Sequence, residues 1–416
     1  MESLSLKNVQ RAASIIKDVV SKTPLMRNAQ KSKEFDANIY FKREDLQQVR
    51  SYKIRGAFHK ISSLSDAELA NGVVCASAGN HAQGVALSCF HKKIKGVIFM
   101  PIPTPKQKLE QVKLFGDNYI ETILIGDTFD DAYKAARKYC EENSMHFIHP
   151  FDDLKVIEGQ ATIALEILEK SKESIDYLFL PVGGGGLASG VSAMFHLLSP
   201  TTKIIGVEPS GAPSMSVSMK NDRNTSLDRI DKFIDGAAVQ KVGDLTFQFC
   251  SKYLTEMVTV DEGKVCQTIL ELYDKDAIVV EPAGALTVSV LDQFKEEIKG
   301  KNVVCLISGS NNDNKRTEEI KERALLYSGV KHYFIARFPQ EAGALKQFIT
   351  EVLGPKDDIT HFAYSKKNNR NTGPAVIGIE LGGEETIDAI KSRLLKYNFH
   401  GEYLNDNPDL FQILIQ

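Results

Sequence analysis

Three stretches of this chain hold groups that could do chemistry together. The first is Ser51-Tyr52-Lys53-Ile54-Arg55-Gly56-Ala57, in which Lys53 sits among Tyr52, Ile54, Ala57, Phe58 and Ile61 at helix-compatible spacing, with Gly56 and Ala57 leaving room beside it. A primary amine condenses with a carbonyl to a Schiff base, and one stripped of water serves as nucleophile and base. Burial among these neighbours should lower the Lys53 pKa. The plain alternative is a solvated lysine at a helix start, one among 51 lysines and arginines.

The second stretch is the run Gly183, Gly184, Gly185, Gly186, which follows the apolar Tyr177–Val182 and leads into Leu187–Leu198. This reads as strand, glycine loop and helix, offering unblocked backbone N–H groups to an anion at a helix N-terminus. Four consecutive glycines cost entropy that an ordinary tight turn would avoid, so phosphate binding is the better reading. Gly183-x-Gly185-x-x-Ala188 also satisfies a dinucleotide fingerprint, and the next strand ends in Glu208, which leaves a nicotinamide enzyme open. Against it stand the mid-chain position, the surplus glycines and the lack of any role for Lys53. The third stretch, Ser77-Ala78-Gly79-Asn80-His81, follows Val73-Val74-Cys75 and enters a helix pattern through Leu87 and Phe90. Ser77 and Asn80 are good helix caps, and the amides that need a cap also hold carboxylates.

In this order, and with Ser308-Gly309-Ser310-Asn311 after the apolar Asn302–Ile307, these motifs resemble those of fold type II pyridoxal-phosphate enzymes, and the chain is similar to the threonine dehydratases (threonine deaminases) among them. The resemblance implies pyridoxal 5'-phosphate carried on Lys53, with Asn80 at its pyridine 3-oxygen, Gly183 to Gly186 at its phosphate and Ser308 at its ring nitrogen. Ser77, Ala78, Gly79 and His81 would line the substrate. A neutral serine hydroxyl makes the cofactor a moderate electron sink, which suits β-elimination. The implied reaction is α,β-elimination of L-threonine to 2-oxobutanoate and ammonia, the first step of isoleucine biosynthesis, with Lys53 as base. The acid for the departing hydroxyl is either the cofactor phosphate or the proton returned by Lys53. A serine-preferring dehydratase is the neighbouring reading, because one methyl group is worth only ~1–3 kcal/mol of discrimination. A non-catalytic amino-acid sensor fits poorly with an intact Lys53, Asn80 and Ser308.

Departures from related serine racemases sharpen this. Those enzymes hold a second serine where this chain has Ala78, and alanine cannot shuttle a proton, so elimination without racemisation is expected. They also bind a divalent ion near the stretch Glu208–Ser214, where a carboxylate would stand at Ser214; no dedicated metal is expected here. Glu281-Pro282-Ala283-Gly284-Ala285 resembles another family segment but reads largely as a helix start with proline at its first position, of low catalytic weight. Asp235-Gly236 reads as a turn that could line the pocket.

The elements that position these groups alternate: short apolar strands at Ile39–Lys42, Val73–Val74, Gly96–Met100, Tyr119–Ile125, Tyr177–Leu180, Ile204–Val207 and Val303–Leu306, with helical patterns between them. The expected class is α/β, with parallel sheets covered by helices and ligands at the carboxyl ends of strands. The family fold, tryptophan synthase β-like, adds two lobes, the smaller roughly 50–150, within a catalytic domain over 1–327. Residues 328–416 read as strand (Tyr333–Ala336), helix (Ala342–Leu353), two strands (Ile359–Phe362 and Ala375–Ile379), helix (Glu385–Leu395) and a strand near Gly401–Tyr403, a ferredoxin-like βαββαβ unit. Its segment Arg337–Leu345 resembles the ligand loop of ACT-like regulatory domains in biosynthetic threonine dehydratases, implying isoleucine and valine as effectors; a structural or dimerising appendage is the plainer reading.

A chain of 416 residues, 43% hydrophobic and 25% charged with net charge −3, is long enough for two to three domains and gives no electrostatic reason to expect nucleic-acid or membrane binding. Cys75, Cys89, Cys140, Cys250, Cys266 and Cys305 lack metal or disulfide spacing and read as buried thiols of a reducing compartment. The start Met1–Lys7 lacks signal-peptide character, and no stretch reaches the ~18 apolar residues of a membrane span. The expectation is a cytoplasmic enzyme of small-molecule substrates, assembled as a homo-oligomer (tetramer or dimer).

Overall fold

The computed structural model describes residues 4–364, 372–383, 386–399 and 401–414. They form two compact units, Met1–Lys315 and Arg316–Gln416.

The first unit is built on two sheets. The larger takes its strands in the order β1 (Leu25–Arg27), β2 (Asn38–Arg43), β10 (Asn302–Ile307), β7 (Tyr177–Pro181), β8 (Lys203–Pro209), β9 (Glu256–Val260), and the smaller in the order β5 (Ile120–Leu124), β4 (Gly96–Met100), β3 (Val73–Ala76), β6 (His146–Phe147). Every pairing is parallel except β1 with β2. Parallel strands need helical crossovers on both faces, so their side chains are covered on both. The small sheet follows this rule: Val73, Cys75, Ile98 and Met100 face Val85, Ala86 and Cys89, while the alternating Val74, Ala76, Val97 and Phe99 face Ala132, Ala136 and Cys140. In the large sheet Leu178, Leu180, Val304 and Leu306 pack on Ile163, Ala164, Val191 and Phe195.

The expected strands are all present, most of them longer by a residue or two. Tyr119 lies in a short 3-10 turn, Asp117–Tyr119, instead of in β5. Three strands carried no usable signal: β1 and β6 are only three and two residues long, and β9 is a half-exposed edge.

In the second unit β11 (Lys331–Pro339), β12 (Asp358–Tyr364), β13 (Thr372–Glu380) and β14 (Gly401–Tyr403) form an antiparallel sheet in the order β12-β13-β11-β14. Helices Ala344–Glu351 and Ile387–Lys396 complete the βαββαβ order and bury Phe348, Ile390 and Leu394 against Phe334, Phe338 and Ile377. The expected helix start at Glu385 lies outside the described residues, as does Met1 at the chain start. The helix Thr317–Tyr327 belongs to this unit: its Glu322 accepts from Lys331 Nζ (2.5 Å) and from the Tyr333 hydroxyl (2.7 Å). The units therefore divide at Lys315, ahead of that helix. Among the described residues no helix is long and apolar enough to cross a membrane.

Candidate active site

Lys53 is the first residue of the helix Lys53–Ser62. The three residues before it run beside the segment that follows β10: Tyr52 N donates to Ser308 O (3.2 Å), Ser310 N donates to Arg50 O (2.9 Å), and Ser51 bridges Gly309. Backbone pairing thus sets lysine and serine side by side from opposite ends of the unit. Lys53 Nζ donates to Pro150 O (3.0 Å) and lies 5.3 Å from the Tyr52 ring centroid. Burial pushes its pKa down from 10.5 to about 8, against the pull of Glu281.

The loop after β3 departs from the capping expectation. The helix Asn80–Lys92 has Gly79 as its N-cap and no side-chain cap, because the Ser77 hydroxyl accepts from Gly79 N (3.2 Å) and Asn80 is already inside the helix. Its first amides are left for a ligand. A Cβ on Gly79 would meet nothing within 4 Å, so the loop opens onto free space there. Asn80 is fixed in a polar chain: Asn311 Nδ2 donates to Asn80 Oδ1 (2.6 Å), and Asn80 Nδ2 donates to Glu281 Oε1 (2.6 Å). An amide nitrogen has two hydrogens, so one donor of Asn80 remains. His81 is turned into the wall, its Nε2 on Ile148 O (2.9 Å), and burial and Lys53 push its pKa down to about 3. The imidazole is therefore neutral and structural.

The glycine run leaves the end of β7 and starts the helix Gly186–Leu198, which has no side-chain cap. Gly185 has φ +93, a conformation L side chains rarely adopt. Glycine is also needed for space: a Cβ on Gly184 would come within 2.2 Å of the Phe151 ring, and one on Gly183 within 2.9 Å of Ala237 Cα. Thr246 Oγ1 donates to Gly184 O (2.6 Å), and the Asp152 carboxylate accepts from the amides of Asp244, Leu245 and Thr246 (3.1, 3.0 and 3.1 Å). The cradle is thereby rigid on its protein side. Ser308, 3% exposed, directly follows β10.

Glu281 is the residue that sequence reasoning undervalued. It does occupy the N-cap position before Pro282, but its carboxylate makes no cap bond and turns to Asn80. A Cβ on Gly309 would fall 2.6 Å from Glu281 Oε1, so the loop Ser308-Gly309-Ser310-Asn311 closes over it. Burial first, then Asp235, raise its pKa to about 7, while the Asn80 bond and Lys108 oppose. Asp235 pairs with Lys108 (2.6 Å). The only sequence signal was an acid beside a motif proline, which any helix start would show.

Glu208 and Ser214 are committed locally. Glu208 accepts from the amides of Met215 and Ser216 (2.7 and 2.9 Å), and the Ser214 hydroxyl donates to Val239 O. Among the described residues no group of three or more His, Cys, Asp or Glu is arranged to hold a metal ion.

A buried amine with a lowered pKa, two uncapped helix N-termini, a spare amide donor and a neutral buried hydroxyl converge at the carboxyl ends of β3, β7 and β10. This donor set fits an aldehyde cofactor bearing a phosphate. Residues 16–309 match the family described as Pyridoxal-phosphate dependent enzyme, and residues 322–414 the C-terminal regulatory domain of Threonine dehydratase. The chain is 54% identical over 415 residues to the biosynthetic L-threonine dehydratase of Halalkalibacterium halodurans, covering 100% of both, and 54% identical to that of Bacillus subtilis, covering 99% of this chain and 98% of the other. Among solved structures it is similar to the processed form of threonine deaminase isoform 2 from Solanum lycopersicum: TM-score 0.73, 38% identity, covering 78% of this chain and 90% of that chain.

Proposed function

Because this chain belongs to the pyridoxal-phosphate-dependent enzymes that carry the regulatory domain of threonine dehydratase, we propose that it is a biosynthetic L-threonine ammonia-lyase, converting L-threonine to 2-oxobutanoate and ammonia. The observation that carries this reading is 54% identity along the full length to such an enzyme, joined to a buried Lys53 amine whose preceding residue, Tyr52, pairs through its backbone with Ser308.

Pyridoxal 5'-phosphate, when bound, supplies an electron sink for negative charge at the substrate Cα. Lys53 would hold it covalently, Asn80 would donate its spare N–H to the ring oxygen, and the amides of Gly183 to Gly186 would hold its phosphate. Ser308, neutral at pH 7, would meet the ring nitrogen without fixing a positive charge there. Lys53 would take the Cα proton; its lowered pKa keeps a useful fraction unprotonated near neutrality. The proton for the departing β-hydroxyl would come from that ammonium or from the cofactor phosphate. The Ser77–Gly79 loop would receive the substrate carboxylate through the Ala78 amide and the uncapped first turn of the helix after it, since the amides of Ser77 and Gly79 donate to Phe99 O and the Ser77 hydroxyl, and the methyl of Ala78 supplies no second base, which favours elimination over racemisation. His81 supports this loop through its ring while its amide opens the helix.

The C-terminal unit would bind an amino-acid effector, with isoleucine as inhibitor and valine as modulator, at the β11-to-helix turn where Gly343 adopts φ +97. The enzyme would work in the cytoplasm as a homo-oligomer. The test is 2-oxobutanoate formation from L-threonine, with L-serine in parallel and isoleucine titrated in. Product falling with isoleucine supports both parts; no product from threonine, or serine as the better substrate by kcat/KM, rejects the assignment.

A further inference from the structure

The helix that begins with Lys53 is gripped from its far side. Arg55, two residues on, lies ~200° around the helix from the amine. Its guanidinium is fully buried: Nε and Nη2 donate to the Glu44 carboxylate (2.8 and 2.8 Å), and Nη1 and Nη2 to that of Glu166 (2.7 and 2.9 Å). Nη1 also reaches Thr162 Oγ1 (3.1 Å). Glu44 directly follows β2, and Glu166 lies on the helix Leu154–Lys170, so one side chain ties the lysine helix to two neighbours. Lys42 balances the charge from β2, its Nζ on Glu166 (2.6 Å) and on Thr23 O (2.7 Å).

Burying two cations and two carboxylates costs about what their attraction returns, and apolar residues of similar volume often hold a core as well or better. What a double fork adds is orientation: two carboxylates in bidentate contact with one planar guanidinium leave the helix no freedom to roll. The neighbouring backbone is equally close, since a Cβ on Gly159 would lie 2.6 Å from Arg55 O, and one on Gly84 lies 3.2 Å from Lys53 C and O.

We propose that Arg55 is a positioning residue for Lys53, its clamp on Glu44 and Glu166 setting the roll of the helix's first turn and hence the aim of the amine. The proposal rests on Lys53 being the reactive amine. Misplacement of a reacting group by ~1 Å costs rate on the order of 100-fold without loss of binding.

The test exchanges charge for volume. Arg55→Met combined with Glu44→Met removes one cation and one anion and leaves the Lys42–Glu166 pair; Lys42→Met, which keeps all four Arg55–carboxylate bonds, is the control. In the holoenzyme the double variant should keep a cooperative thermal transition within ~5 °C of the parent, while kcat for L-threonine falls at least ~10-fold at a KM within about twofold. The visible absorption band of the lysine-linked cofactor should shift its pH midpoint as well. Lys42→Met should keep kcat within about twofold even where its transition falls. If the double variant does not fold, Arg55→Lys replaces it, with a kcat loss exceeding that of Lys42→Met expected. Unchanged kcat and absorption in a folded Arg55 variant, or an equal loss in Lys42→Met, overturns the proposal. Borohydride fixation of cofactor followed by peptide mapping separates the failures: a parent protein with no label on Lys53 overturns the reading of Lys53 itself.

Discussion

At the scale of single residues the site depends on two groups whose protonation is displaced in opposite senses. Lys53→Ala removes the nucleophile and base together, and turnover of L-threonine should fall by at least ~1,000-fold, since each role alone is worth ~100-fold or more. Measured on cofactor-free protein, capture of pyridoxal phosphate should accelerate as pH rises through about 8, where the buried amine loses its proton, instead of near the ordinary 10.5. Glu281 is raised from 4.5 to about 7, so the folded protein binds the extra proton between those values; that contribution to stability is present at low pH and lost as pH rises through 7. Glu281→Gln cannot ionise, keeps the size and removes the loss. Its thermal stability at pH 8 should exceed the parent's by on the order of 1–3 kcal/mol. Activity should fall at the same time, because Asn80 loses a charged acceptor; a variant equally active, or less stable at pH 8, rules this account out.

At the scale of elements, the interior strands were legible, unlike β1, β6 and β9, because parallel strands buried on both faces read as unbroken apolar runs, as in Tyr177–Pro181 and Asn302–Ile307. The glycine loop was legible for a related reason: four glycines have no other economical use. What was not legible is pairing between distant irregular segments. Nothing in Arg50-Ser51-Tyr52 announces its bridge to Ser308-Gly309-Ser310, and the local sequence of Ser77 and Asn80 reads as capping although the Ser77 hydroxyl accepts from Gly79 N and the Asn80 amide stands between Asn311 and Glu281. The sequence around Glu281 carries no sign of its role, because its local context, an acid before a helix-starting proline, is complete without any distant partner. The left-handed Gly185 gives an element-scale prediction: Gly185→Ala should destabilise the fold by about 1 kcal/mol or more, from backbone strain and from contact with Met215 and Thr246. Cofactor affinity should drop while any protein still loaded keeps its substrate KM, as equilibrium dialysis and steady-state kinetics would show.

At the scale of the whole molecule, two units with separate cores imply separable work. The ferredoxin-like order of the second unit was legible from its strand and helix periods, whereas the allegiance of Thr317–Tyr327 was not, because its ties run through Glu322 to Lys331 and Tyr333. A protein ending at Lys315 should retain threonine turnover and lose its response to isoleucine, measured as the change in inhibition midpoint; a truncated enzyme still inhibited would place the effector site in the first unit. All six cysteines are buried. Burial holds the thiols of Cys75 and Cys89 in the small-sheet core, and those of Cys250 and Cys305 in the large-sheet unit, above their ordinary pKa and out of reach of reagents. They are silent while the chain is folded and become clocks when it breathes: alkylated in brief pulses and mapped by peptide, the order in which they are labelled would record which lobe comes apart first.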